Sequence, residues 1–271
     1  KPNVFAGIAA RLTRTPYIST ITGLGSELGN GKAKMLILLH RFALKNAEYI
    51  VFQNKNDSKF FKEKKIHAKN MLIVNGSGVN LDEFRLKPYP KNSPTFIFVG
   101  RIIKEKGIEL FLKLANYAKK KYSNVNFEVY GELSEEYRKE FEINEKIRSI
   151  KYCGIHNDMQ KIYAKSSAII HPTYYNEGIS NVLLEASAIG RPCITSNKPG
   201  CQETFIDEVS GFGHNPKDYE SLRDVFDKFM QLSIHDREQM GLNAHRFISN
   251  NFDRKTITNT YLNLVNKVIR R

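Results

Sequence analysis

Between residues 95 and 195, short runs of β-branched and aromatic residues alternate with stretches of helical period. Residues 95–99, 127–130, 150–152, 168–171 and 192–195 read as strands, and 107–121, 135–146, 158–165 and 179–189 as the helices between them. Strict alternation leaves few topologies: a mostly parallel sheet, covered by helices on both faces and joined by right-handed crossovers. Further helices are expected from 217, 235 and 253. A doubly wound domain of this kind takes its ligand outside the carboxyl ends of its strands.

The first 90 residues show the same alternation but fewer elements. A helical face over 4–12, a strand over 17–22, a helix over 33–46, a strand over 49–53, a basic helix over 57–65 and a strand over 71–74 make only three strands. A complete doubly wound domain opens on a strand and has five or six. At about 30 residues per βαβ step, the count implies roughly 60 to 90 further residues upstream of Lys1. Residues 85–94, with three prolines in seven positions, break all periodicity and read as a linker.

Charge separates the two parts. Residues 1–90 hold 15 Lys and Arg against 6 Asp and Glu, and residues 91–271 hold 27 against 22, so nine of the fourteen surplus charges sit in one third of the chain. Such a surplus points to polyanionic partners: nucleic acid, anionic lipid or phosphorylated ligands. Cys153, Cys193 and Cys201 are odd in number and form no C-x-x-C pair, which argues against a disulfide framework or zinc site and for a reducing compartment. No apolar run reaches the ~18 residues of a spanning helix; the longest, 35–44, is interrupted by His40 and Arg41.

Two constellations look like chemistry. The strand 95–99 runs into Gly100-Arg101-Ile-Ile-Lys-Glu-Lys106-Gly107 and then a helix, bringing two cations to a strand's carboxyl end beside a helix amino end, where an anion is favoured. A tight turn with solvated basic side chains would read the same. The second is His171-Pro-Thr-Tyr-Tyr-Asn-Glu177-Gly178-Ile179-Ser180-Asn181, continuing to Glu185. If Glu177 and Gly178 open a helix, the N–H groups of Gly178, Ile179, Ser180 and Asn181 are the unpaired ones of its first turn, able to hold a phosphate. Glu185 then lies about 12 Å along the axis from Glu177. That exceeds the ~5 to 9.5 Å between the two carboxyls of a glycosidase and favours two separate roles. Glu185 sits among Leu183, Leu184 and Ala186, where a carboxylate needs a partner; a ribose diol would be one. Plain helix-start charge and a solvated face remain the simpler alternatives for the two glutamates.

Taken in order, Gly100-Arg101, Lys106-Gly107, Glu177-Gly178, Glu185, Gly190-Arg-Pro-Cys-Ile-Thr195 and Gly200-Cys-Gln-Glu203 resemble glycosyltransferase family 4, retaining enzymes of the GT-B fold. Lys1-Pro-Asn-Val4, with Ile21-Thr-Gly-Leu-Gly25 and Asn75-Gly-Ser-Gly-Val-Asn-Leu-Asp-Glu-Phe84, resembles the branch that builds capsule, exopolysaccharide or O-antigen units on polyprenyl diphosphate. The resemblance implies two Rossmann-like domains facing across a cleft, the first incomplete: 1–88 on the acceptor side, 89–250 for the nucleotide sugar, and a terminal helix 251–271 crossing back. Arg101 and Lys106 would neutralise the donor diphosphate and Glu185 would hold the ribose. Glu177 would face the donor sugar, the amides at Gly178, Ile179, Ser180 and Asn181 would meet phosphate and sugar, and 153–155, with Ile155, would line the base. The implied catalytic residues are Glu177, Arg101 and Lys106, with Gly100 giving the backbone room. No cofactor and no metal are implied, in keeping with the lack of a D-x-D motif; the donor is a nucleotide sugar, UDP-linked, and the acceptor a polyprenyl-diphosphate-linked glycan. An anionic membrane surface is a further partner, nucleic acid is not, and the place of action is the cytoplasmic face of the membrane. Thr22 stands where many relatives carry a histidine near the acceptor.

Weaker features have simpler readings. The apolar band Met35, Ile37, Leu38, Leu39, Phe42 and Ala43 reads as a buried amphipathic helix rather than a membrane-surface one. Lys55, Lys59, Lys62, Lys64, Lys65 and Lys69 form the densest basic cluster, a solvated face by default. The rival functions are a nucleotide-sugar epimerase of the same fold and a non-catalytic nucleotide-sugar or membrane-surface module.

Overall fold

The computed structural model describes residues 2–24 and 33–270. They form two compact units. The first comprises Lys1–Gly78, Asn176–Ser180 and Phe252–Arg271, the second Val79–Tyr175 and Asn181–Asn251.

In the first unit, α1 (Pro2–Leu12), β1 (Ile18–Ile21), α2 (Ala33–Leu44), β2 (Tyr49–Phe52), α3 (Lys55–Glu63) and β3 (Asn70–Ile73) follow one another. The strands pair in parallel in the order β1-β2-β3, with Ile18 opposite Tyr49 and Tyr49 opposite Asn70. Asn54 caps α3: its side-chain oxygen accepts from the Asp57 N–H at 2.8 Å, satisfying one of the helix's orphan donors.

The sequence reading placed the apolar band of α2 in a core, and the structure corrects this. Ala43 and Leu44 are buried, but Met35, Leu38 and Phe42 are 61%, 60% and 49% exposed, beside exposed Phe5 and Leu12 of α1. Periodicity reveals that a helix has an apolar face; it does not reveal what covers it.

The second unit holds β4 (Thr95–Val99), α4 (Ile108–Lys121), β5 (Asn126–Tyr130), α5 (Arg138–Lys146), β6 (Lys151–Gly154), α6 (Met159–Lys165) and β7 (Ala168–His171). It continues with α7 (Asn181–Ala188), β8 (Cys193–Ser196), β9 (Gly211–His214), α8 (Tyr219–Gln231) and α9 (Ile234–Asn251). All six strands are parallel, in the order β6-β5-β4-β7-β8-β9. Counted within the unit this is 3-2-1-4-5-6, the doubly wound order whose direction reverses between β4 and β7. Central position explains the residues: Phe96, Ile97 and Phe98 of β4 and all four of β7 are buried, as a strand covered on both faces requires. Phe96 meets Phe127, Phe226 and Phe229 at ring-centroid distances of 5.4, 4.9 and 5.8 Å, which ties β4 and β5 to α8.

Two features depart from the sequence reading. Strand β9 has no β-branched residue and only Phe212 between two glycines, so it becomes a strand through pairing with β8, Cys193 opposite Gly211. The proline-rich segment 85–94 is fastened within the second unit, and the units divide at residue 78 rather than 88. The Lys87 N–H donates to the Ile189 carbonyl at 3.1 Å, and the buried Tyr89 hydroxyl to that of Ser167 at 2.9 Å.

The last helix, α10 (Arg254–Ile269), belongs to the first unit. Its Ile257 and Leu264 pack with Val51 and Val74, and the Tyr261 and Thr20 hydroxyls are 3.0 Å apart.

Candidate functional site

The order reversal between β4 and β7 marks where a ligand would enter the second unit. After β4, the Gly100 N–H donates to the Tyr130 carbonyl at 3.0 Å, and nothing lies within 4 Å of where a Cβ on Gly100 would stand. A tight turn over Lys104–Lys106 then leads to Gly107, at φ +77°, ahead of α4. Here glycine is required twice over. A side chain resists that backbone conformation, and a Cβ would stand 2.1 Å from the Pro172 carbonyl oxygen.

The loops after β4 and β7 are thereby one assembly. The Glu105 carbonyl accepts from the N–H of Tyr174 at 2.9 Å, from that of Tyr175 at 3.0 Å and from the Thr173 hydroxyl at 3.2 Å. The Tyr175 ring receives two cations, the Arg101 guanidinium carbon at 5.8 Å from its centroid and the Lys106 ammonium at 5.6 Å. Lys217 sets a third cation 4.7 Å from the neighbouring Tyr174 ring. Three positive charges beside one switch-point loop make a place suited to a diphosphate.

Helix α7 begins at Asn181, which corrects the expected start. Gly178 and Ile179 precede the helix and Ser180 flanks its first residue, so the N–H groups of Gly178 and Ile179 are not those of its first turn, and the axial estimate between Glu177 and Glu185 does not apply. Asn181 and Glu185, four residues apart, share one face of α7. The Glu185 carboxylate accepts a 3.0 Å hydrogen bond from the hydroxyl of Tyr163, a fully buried residue of α6. Burial, reinforced by the Glu185 charge, pushes the Tyr163 hydroxyl well above the usual phenol range, so it stays protonated and donates. Ile155, 71% exposed, follows β6 at the sheet's edge, two strands from β4.

Glu177, Gly178, Ile179 and Ser180 lie in the segment that belongs to the first unit. The Asn54 amide, buried at 2% exposure, donates to the Gly178 carbonyl at 2.9 Å and to that of Glu177 at 3.4 Å. A Cβ on Gly178 would stand 2.1 Å from Gln53 Oε1 and 2.6 Å from the Thr22 carbonyl oxygen, so only glycine lets this loop lie against its neighbours. The expected residues therefore form two sets: Gly100, Arg101, Lys106, Ile155, Asn181 and Glu185 in the second unit, and these four in the first.

The glycosyl transferases group 1 family matches residues 80–247, the whole stretch that builds this sheet and its loops. The chain belongs to that family. It is a glycosyltransferase, and its two parallel α/β units are of the GT-B class. Over its full length it is 25% identical to the N,N'-diacetylbacillosaminyl-diphospho-undecaprenol alpha-1,3-N-acetylgalactosaminyltransferase of Campylobacter jejuni, covering 76% of that protein. Over 95% of its length it is 26% identical to the capsular polysaccharide biosynthesis glycosyltransferase CapM of Staphylococcus aureus, covering 72% of it. In fold it is similar to Anabaena HepE in complex with UDP-glucose, with a TM-score of 0.83 at 17% identity over 97% of this chain and 76% of that one.

Sequence reasoning about the glycosyltransferase missed four residues that organise these loops. Tyr175 and Tyr174 stood in the quoted motif, but an aromatic pair after a strand gives no hint that cations will lie over it. Tyr163 sits 22 positions from Glu185, too far for any local pattern. Asn54 carries a readable signal as a helix cap, while its second role depends on a residue 124 positions away. Among the described residues, no group of three or more His, Cys, Asp and Glu is placed to hold a metal ion. No helix among them is long and apolar enough to cross a membrane.

Proposed function

We propose that the enzyme moves a hexose or N-acetylhexosamine from a UDP-sugar to a saccharide carried on a polyprenyl diphosphate, with retention of anomeric configuration, in bacterial surface polysaccharide synthesis. The observation that carries this reading is the pair Arg101 and Lys106, both drawn to the Tyr175 ring at the switch point of the sheet. The relatives named for transfer to an undecaprenol-diphosphate sugar and for capsule synthesis support the substrate class.

As the glycosidic C–O bond breaks, negative charge grows on the departing diphosphate. Cations already fixed beside it stabilise that charge without reorganisation at the moment of reaction. Gly100 leaves room for the ligand against the backbone, and the amide end of α7 at Asn181 adds a partial positive charge. Glu185 accepts the ribose hydroxyls, Ile155 lies along the base, and Glu177 meets the donor sugar's hydroxyls, with the backbone of Gly178, Ile179 and Ser180 beside it. No resident metal is needed, because the cations take over its charge-neutralising role.

An anionic membrane surface joins the partners. The exposed apolar side chains of α1 and α2 are accompanied by Arg11, Lys34 and Arg41, and neither helix carries an acidic residue. Such a face suits a bilayer interface at the cytoplasmic side, where each nearby cation adds about 1 kcal/mol.

The test is incubation of the enzyme with UDP-sugars and a polyprenyl-diphosphate-linked saccharide. A longer glycolipid with the donor's anomeric configuration, together with free UDP, is expected. Release of an epimerised or free sugar with no glycolipid would overturn the reading.

A further inference from the structure

Glu185 has a neighbour that the reaction itself does not explain. Tyr163 is 0% exposed, and a hydroxyl so deep must find a partner or pay the full cost of desolvation. Its partner is Glu185 Oε2 at 3.0 Å. A neutral tyrosine donating to a carboxylate makes a charge-assisted bond, which fixes the carboxylate's rotation as well as its position.

The tyrosine is itself held from behind. Arg191, 1% exposed, spends its guanidinium on main-chain carbonyls: Nε donates to Tyr163 at 3.0 Å, Nη2 to Ala164 at 2.9 Å and Pro88 at 2.7 Å, and Nη1 to Gly190 at 3.0 Å and Lys87 at 3.2 Å. One buried cation thus ties the last turn of α6 to the residues that follow α7. This sets the spacing between the helix that carries Tyr163 and the helix that carries Glu185. An ionised carboxylate offers about four lone-pair positions. Tyr163 takes one of them, on the side of α6, and so decides which way the others face.

We propose that Tyr163 is a positioning residue for nucleotide recognition: its main chain is anchored by Arg191, and its hydroxyl holds the Glu185 carboxylate in the orientation that accepts a ribose diol. The inference rests on the reading of Glu185 as the ribose ligand, and binding measurements separate the two. UDP and dUDP differ only at the 2′-hydroxyl, so the ratio of their dissociation constants isolates recognition of that hydroxyl from diphosphate and base.

The experiment is calorimetry of UDP and dUDP with the wild-type enzyme, Tyr163→Phe and Glu185→Gln, with the thermal midpoint of each recorded. The wild type is expected to prefer UDP by tenfold or more, Glu185→Gln to lose the preference, and Tyr163→Phe to reduce it to threefold or less, with UDP weakened more than dUDP. A general loosening of the fold would weaken both ligands alike, which would overturn the positioning role. A wild type without preference sinks the reading of Glu185. A preference lost in Glu185→Gln but kept in Tyr163→Phe leaves that reading standing and overturns this inference alone. Should Tyr163→Phe not fold, 3-fluorotyrosine placed at position 163 keeps both ring and hydroxyl. Its fluorine resonance is expected to move with UDP and not with dUDP, and a resonance that ignores both overturns the proposal.

Discussion

The side-chain amide of Asn54 donates to the carbonyl of Gly178 at 2.9 Å, joining the start of α3 to the loop that carries Glu177. The same side chain caps α3 through its oxygen, so one residue serves two ends of the amide at once. Asn54→Ser keeps a capping oxygen and removes the donor to Gly178. It is expected to cost about 1 kcal/mol of stability, one net hydrogen bond, while raising the donor KM several-fold. Asn54→Ala loses both and should cost about 2 kcal/mol. Urea midpoints set beside donor KM values check this; an Asn54→Ser enzyme with wild-type KM would remove the loop from donor recognition.

Gly107 meets Pro172 so closely that the two switch-point loops cannot stay joined around a larger residue. Gly107→Ala forces both a clash and an unfavourable φ, and is expected to destabilise by about 2 to 4 kcal/mol. At this chain length that is a fall in Tm of roughly 5 to 15 °C. Calorimetric melting of the variant is the check, and an unchanged Tm would show the loops to be independent.

His214 closes β9 at 1% exposure, with Nδ1 against the Asn215 carbonyl at 2.8 Å and no partner for Nε2. Burial pulls its pKa down to about 4, although Asp218 and the Asn215 hydrogen bond oppose the shift. The folded state therefore keeps the ring neutral where the unfolded chain, titrating near 6.5, binds a proton. Stability from this group is full above about pH 6.5 and is lost as the pH falls toward 4, by up to about 3 kcal/mol. His214→Asn should flatten the dependence of the urea midpoint between pH 7 and 4.5. Parallel profiles for the two proteins would contradict the assignment.

If the apolar face of α2 meets lipid, Leu38→Glu combined with Phe42→Glu removes it without touching a buried residue. Flotation on vesicles containing anionic lipid is expected to drop by tenfold or more, and the wild type to bind neutral vesicles weakly. Equal flotation of wild type and variant would exclude this face.

Strands β4 and β7 were legible because a doubly covered strand must be apolar throughout, and the loop residues after them followed from connectivity. The start of α7 was misread because Glu177 and Gly178 have the composition of a helix start. Gly178 is needed instead for its approach to Thr22 and Gln53, a tertiary reason no local pattern carries. The exposure of Phe42 and the burial of Tyr163 are likewise facts of packing, settled by what each helix meets.

Fixed cations at the switch point are proposed to stabilise the charge that grows on the donor's departing diphosphate. The most direct measurement is donor kcat/KM for Lys106→Ala, with the glycolipid product quantified. A loss of about 100-fold is expected, near 3 kcal/mol of transition-state stabilisation, with partial recovery in Lys106→Arg. Wild-type kcat/KM in Lys106→Ala would contradict it.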